Sequence, residues 1–248
     1  MFIYILAAVF NFVDLKKVSA ARAYSILSLI GSVLNLAALV AMIIVNRRLP
    51  LATGYEFLLS FALVMVVIYR FMVIKDDIRS AGGFVMLIAA LLLFAAAIQI
   101  PGNYNGSGPL MPALKSPWLG VHVLTAVIAY GGFALAASLA IMNLAGEMEP
   151  KTSSSIYNLV AGSFAMLSLS IVLGAVWAEQ AWGTYWSWDP KETWAMITWI
   201  IYAIYLHLHR RQGWKGKKAD ILVIVGFIIV LFTFFGVNYL MSGLHSYS

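Results

Sequence analysis

No cysteine occurs in the 248 residues, and only one residue in ten is charged. Without a thiol there is no disulfide framework, no Cys-based metal site and no Cys nucleophile in this chain. The shortage of charge excludes more. With 62% hydrophobic residues and a mean hydropathy of +0.91, the chain has too little polar surface to cover a water-soluble domain of its size. Histidine is scarce as well, with four in all, His122, His207, His209 and His245. A third or fourth nitrogen ligand for a bare zinc ion is therefore hard to assemble on one side of a membrane.

What the sequence does have is long continuous apolar runs, at about 1–13, 24–46, 55–74, 82–100, 119–143, 156–178, 194–209 and 220–241. Runs of about twenty residues suit membrane-crossing helices, whereas barrel strands would alternate over about ten. The expected fold is all-α, a polytopic transmembrane bundle of about 7–8 spans, forming a single membrane domain over 1–248. The first run is short for a span. It has the length of a signal-like segment, but no small-residue cleavage site follows it, and no Arg/Ser-rich leader is seen.

The connecting charges set an orientation. One face receives Lys16, Lys17, Arg22, Arg70, Lys75, Arg79, Lys151, Arg210, Arg211, Lys215, Lys217 and Lys218. The other receives Arg47, Arg48, Lys115 and Lys191. Twelve cations against four put the first face in the cytoplasm. Loops at about 47–54, 101–118 and 179–193 and the tail 242–248 then lie outside. The net charge of +6 is explained by this bias without a nucleic-acid partner.

The stretch WGTYWSWDPKETW, Trp182 to Trp194, stands out in the third of these loops. Five of the eight tryptophans, Trp177, Trp182, Trp186, Trp188 and Trp194, surround it. Interfacial anchoring is one reading, but an anchoring belt is spread over several helix ends. Clustering on one loop suits a flat apolar ligand. Asp189-Pro190-Lys191-Glu192 has its own local explanation: an N-cap, proline at the first helical position and glutamate at the third, the layout of a capping box. Ser116-Pro117 predicts a second capped start, before the helix that carries His122.

His122 lies about a turn and a half into that helix, on the outer side, and His245 follows the last span on the same side. His207 lies ~25 Å along the helix that begins near Pro190, close to the inner face. A single histidine near a helix end is commonly an interfacial or hydrogen-bonded residue, and His209, followed by Arg210 and Arg211, reads as one. Two outer histidines beside an aromatic loop also suit haem, whose iron takes one imidazole on each face. Lys191 and Arg47 are cations that could meet its propionates.

These residues resemble a known family. The Trp loop is similar to the WWD signature of haem-handling proteins in cytochrome c biogenesis, and WDPKETWA resembles the CcsA/ResC branch. GPLMPALKSPWLGVHV resembles the segment with the first external histidine, here His122, and GLHSYS the segment with the second, here His245. IYLHLHR resembles the transmembrane-histidine segment, which maps best to His207, and GYEFL, around Glu56, a segment after the second span. The resemblance implies haem b as transported ligand, with His122, His245 and His207 as axial ligands to its iron. It implies Trp182, Trp186, Trp188 and Asp189 as residues of the haem-facing loop, and no catalytic residue in the strict sense. It further implies a membrane partner of the CcsB/ResB type and apocytochrome c as acceptor. The pair would act as a cytochrome c synthase in a bacterial cytoplasmic or thylakoid membrane. Rival readings are a cytochrome b-like electron-transfer subunit, a non-haem transporter and a structural subunit whose loop docks a partner.

Overall fold

The computed structural model describes residues 1–14, 18–75, 78–98, 110–146, 152–211, 214–241 and 243. Among these the secondary structure is helical throughout, as the apolar runs predict. The helices are α1 (Phe2–Asp14), α2 (Val18–Asn46), α3 (Gly54–Lys75), α4 (Gly82–Ile98), α5 (Pro117–Leu144), α6 (Thr152–Trp182), α7 (Pro190–His209), α8 (Lys217–Leu231) and α9 (Val237–Leu240). A π-helical segment, Phe232–Gly236, joins α8 to α9. This is a membrane protein: six of the helices are long and apolar enough to cross a bilayer. α1 has 13 residues, about 20 Å, and is short of the ~30 Å hydrocarbon core. α7 has the length, at 20 residues, but is less apolar because it carries His207, His209 and several aromatic residues.

The chain divides into two compact units, Met1–Leu110 and Met111–Ser248. In the first, α1 packs on α2 and α4, and α3 packs on α4. Its polar groups are spent on joining helices. Asn11 donates from Nδ2 to the Arg79 carbonyl (3.0 Å) and accepts at Oδ1 from the Gly83 amide (2.7 Å). One side chain thus satisfies an otherwise orphaned amide in the first turn of α4. Glu56, almost fully buried in the first turn of α3, takes a bidentate pair from Arg48 (2.7 and 2.9 Å). It also accepts from the amides of Ala52 (2.8 Å) and Thr53 (3.1 Å). Glu56 therefore pins the 47–53 turn. Beside α2 and α3 a cleft of about 730 Å³ opens next to Arg70, whose guanidinium donates to Ser28 Oγ (3.0 Å).

In the second unit α5 is the central helix, with 78% of its most apolar window buried, against 28% for α6. α6 and α8 pack along it. Small residues permit the close approach: Gly132 of α5 lies directly against the Ser163 side chain of α6. Phe133 stacks flat on Tyr202 of α7 (3.7 Å between ring centres). Both predicted helix starts are present. Ser116 caps α5 by accepting from the Trp118 amide (3.2 Å). Asp189 and Glu192 form the full capping box of α7.

Candidate functional site

The starts of α5 and α7, the end of α6 and the end of α9 meet at one end of the second unit. Ser116 Oγ donates to Gln180 Oε1 (3.0 Å), and the indole N–H of Trp177 donates to the Ala113 carbonyl (2.8 Å). Lys191 Nζ donates to Asn238 Oδ1 (2.6 Å). The charge count assigns this end to the outside.

His122 is the centre of the arrangement. Its Nδ1 lies 2.8 Å from the Ser170 carbonyl of α6 and 3.1 Å from Ser170 Oγ. A carbonyl only accepts, so the proton of this bond sits on Nδ1, and in the neutral imidazole the lone pair is then on Nε2. Metal-binding histidines are oriented by such a bond to a carbonyl. The ring is also clamped by shape. A Cβ placed on Gly174 would come within 2.7 Å of Nδ1 and 2.8 Å of Cε1, so glycine is what lets the imidazole lie against α6. Trp177, also on α6, runs nearly parallel to the ring (12° between planes, 6.1 Å between centres). Trp177 is itself fully buried and meets Trp182 edge-on at 4.8 Å.

From Trp182 the chain turns through Gly183, at φ +77°, into the aromatic loop. Trp186 and Trp188 stand perpendicular, 5.9 Å apart. Trp188 has φ +59°, a left-handed conformation rare for a bulky residue, and it is 66% exposed. A large, mostly exposed ring is thus presented on a backbone conformation that is costly for a bulky residue. Tyr185, next to Trp186 in sequence, is exposed as well. Asp189, in contrast, is buried. Its Oδ1 accepts from the Lys191 amide (2.9 Å), and Gly243 of the C-terminal segment lies against the other carboxylate oxygen. Glu192 Oε2 accepts from the amides of Ser187 (2.8 Å) and Asp189 (3.2 Å), which fixes the end of the loop.

The expected site residues thus fall into three groups. His122 and Trp182 come together through Trp177, while Trp186 and Trp188 form the outward part of the loop. Asp189 serves the helix cap and the C-terminal segment. His245 lies outside the described residues, as do positions 101–109 of the second expected outer loop. Lys191, one of the two cations named as able to meet haem propionates, donates its amine to Asn238 Oδ1. It precedes the apolar run of its helix, and burial lowers the ammonium to about 8, with the Asp189 carboxylate opposing that drop. Ser170 and Gly174 were not legible as site residues. Their only signal was two small side chains spaced by four on the α6 face that meets α5.

His207 sits at the opposite end of α7. It is exposed on the same outward stripe as Ile200 and Ile204, and it makes no hydrogen bond or ring contact among the described residues. His209 differs from the interfacial reading. It is half-buried, stacked on Tyr157 (4.8 Å) and tilted against Tyr205 (5.5 Å).

Residues 49–245 match the family model described as cytochrome C assembly protein. The chain belongs to that family, in its CcsA branch. It is 34% identical over 245 residues to the cytochrome c biogenesis protein CcsA of Heterosigma akashiwo, covering 80% of this chain and 76% of that one. The CcsA protein of Porphyra purpurea is 33% identical over 253 residues (82% and 79% covered), and that of Chlamydomonas reinhardtii 35% over 217 (82% and 62%). Family membership gives this protein a role in cytochrome c maturation and involves it with haem. The matched span takes in the histidine segments and the Trp loop, and an imidazole oriented by a carbonyl, as His122 is, is of the kind that can serve as a metal ligand.

Proposed function

We propose that this CcsA family member binds haem b at its outer end and presents it there to apocytochrome c. His122 supplies one axial nitrogen, Nε2, and His245 the other. The observation that carries this reading is the Nδ1 bond from His122 to the Ser170 carbonyl, with the ring close against Gly174 and parallel to Trp177. An imidazole held in one tautomer and one orientation is a ready ligand. The exposed Trp188 and the tryptophans behind it offer an aromatic surface for a flat macrocycle.

In this reading the protein contributes position rather than a general acid or base. His122 and the loop hold the ring edge where each acceptor cysteine sulfur can add across a vinyl group. The new C–S bond forms at one vinyl carbon, and the other carbon takes up the thiol proton. Orientation of this kind supplies much of a rate enhancement. The CXXCH histidine of the acceptor displaces one axial ligand and favours release.

His207 serves an inner site shared with a CcsB/ResB-type partner. Its place on an outward face supports that role, because an ionisable side chain inside a membrane is retained where another group meets it. The site is extracytoplasmic by the charge count. The membrane is a bacterial cytoplasmic one, or a thylakoid, which the algal sources of the relatives support.

The test is the visible spectrum of the protein purified with its partner. The His122→Gly, His245→Gly double variant should lose the outer-site Soret band, and added imidazole should restore it. A colourless complex that still matures cytochrome c would sink the ligand assignment.

A further inference from the structure

The first unit holds a cleft that the outer haem site does not use. Its origin lies in the packing. α2 rests mainly on α1 and α3 mainly on α4, so these two helices, consecutive in the chain, leave a gap between them. The gap is the cleft of about 730 Å³, the size of a small-molecule site. On α2 its lining steps by three and four residues from Ala21 to Leu36, a single helical face about 22 Å long. On α3 the lining runs from Leu63 to Ile74. At the deep end Asn35 Nδ2 donates to the Leu59 carbonyl (3.1 Å), which joins the two helices there.

The two ends of the cleft differ in chemistry. The deep half is hydrocarbon, with Leu29, Val33, Leu36 and Val67 all exposed along it. Ser32 spends its hydroxyl proton on the Ser28 carbonyl of its own helix (2.8 Å). The other half carries two arginines, Arg70 and Arg79. The Ser28 hydroxyl donates to the Ser25 carbonyl (3.0 Å) and accepts from the Arg70 guanidinium (3.0 Å). That bond ties Arg70 to the α2 wall with one of its five N–H donors. Arg79 is exposed, and its carbonyl accepts from Asn11 Nδ2 (3.0 Å) and the Tyr69 hydroxyl (3.4 Å), which fixes its backbone at the rim. Neither guanidinium has a carboxylate partner among the described residues. The charge count assigns this end to the cytoplasm.

We propose that the cleft seats an anionic phospholipid of the cytoplasmic leaflet, with its phosphate between Arg70 and Arg79 and one acyl chain running toward Leu36. Guanidinium forks match phosphate oxygens, and basic pockets between spans on the cytoplasmic side suit anionic headgroups. The depth fits as well. From the level of Ser28 to Leu36 the α2 wall rises about 12 Å, close to half of a ~30 Å hydrocarbon core. Haem is also an amphipathic anion, but the first histidine of the chain is His122, so the first unit offers its iron no imidazole. A phospholipid needs none. The bound chain fills the gap between α2 and α3 and so stabilises the first unit.

The experiment uses the full chain in detergent. Phosphatidylglycerol and phosphatidylcholine with the same acyl chains are titrated separately, and bound lipid is counted by native mass spectrometry. Phosphatidylglycerol should bind more tightly. Arg70→Gln and Arg79→Gln should each weaken it about fivefold, the worth of one cation beside an anionic lipid surface, and leave phosphatidylcholine little changed. Val33→Trp fills the cleft and should weaken both lipids. Lys217→Gln removes a cation from the exposed start of α8 and should weaken neither. The unfolding temperature of the parent should rise with added phosphatidylglycerol, and that of the double arginine variant should rise less. Unchanged phosphatidylglycerol binding in both the double arginine variant and Val33→Trp overturns the site. An equal loss in Lys217→Gln overturns it too, because surface charge at large then explains the preference. Full displacement of the lipid by excess inorganic phosphate overturns the role of the acyl chain. Added haem whose Soret band is lost in the double arginine variant, while phosphatidylglycerol binding is kept, overturns the lipid in favour of haem.

Discussion

His122 and His207 belong to the same compact unit but live in opposite conditions. The first is held by a carbonyl bond, a glycine clamp and an indole face. The second is exposed on the outward stripe of α7 with no hydrogen bond or ring contact among the described residues. A ligand that must hold cargo for reaction gains from being fixed in advance, because the orienting cost is already met in folding. A ligand that shares its site with another chain gains little from being fixed before that chain arrives. Under the proposed function, preorganisation goes with the self-contained site and exposure with the shared one.

Breaking the clamp should have the largest effect. Gly174→Val pushes a branched side chain into the space of the His122 ring. We expect a 10–100-fold loss of outer-site haem, as for other disrupted outer-shell contacts, with rescue by imidazole. The fold should survive at a cost of about 1–3 kcal/mol, measured by thermal unfolding in detergent. Retained six-coordinate haem in this variant would detach His122 from the site.

A direct comparison of the two histidines comes next. His122→Ala leaves the Ser170 groups without their ring partner and should cost about 1–3 kcal/mol of stability. His207→Ala should change the stability of the chain by less than about 0.5 kcal/mol, as for an exposed substitution. The same His207 variant should still lose haem when purified with its partner. Equal stability losses at both positions would erase the contrast.

At the cap, Asp189→Ala should cost about 1 kcal/mol and Asp189→Asn much less, since asparagine caps nearly as well. Activity kept in the Asn variant and lost in the Ala variant favours a structural role over a charged one.

The last effect is on pH dependence. The folded Lys191 value of about 8 lies below the ordinary 10.5, so the unfolded chain binds more protons between them. Stability should therefore rise with pH across that window and fall back as pH drops through 8. Lys191→Met should flatten the rise in a pH series of unfolding temperatures.

Much of this was legible from residue order. Apolar runs located the long helices, because in hydrocarbon each backbone polar group must be satisfied within its own segment. The two helix starts at Ser116 and Asp189 were also readable, since a cap involves residues two or three apart. Glu56 was visible as an ionisable residue near a span, but its pairing with Arg48 across a turn was not. Ser170 and Gly174 escaped notice because their importance lies in what α5 sets against them, 48 residues away in sequence for the Ser170 bond.

By itself the sequence determined that this is a helical membrane protein, that its Trp loop ends in a capped helix and that its few histidines are worth tracing. Those properties depend on local composition and short-range hydrogen bonding. Only the tertiary structure decided which histidine is clamped, that the Lys191 amine faces Asn238 and that Gly243 rests on Asp189. Each of these requires two distant segments to pack, and no local pattern encodes which small residue will face which ring.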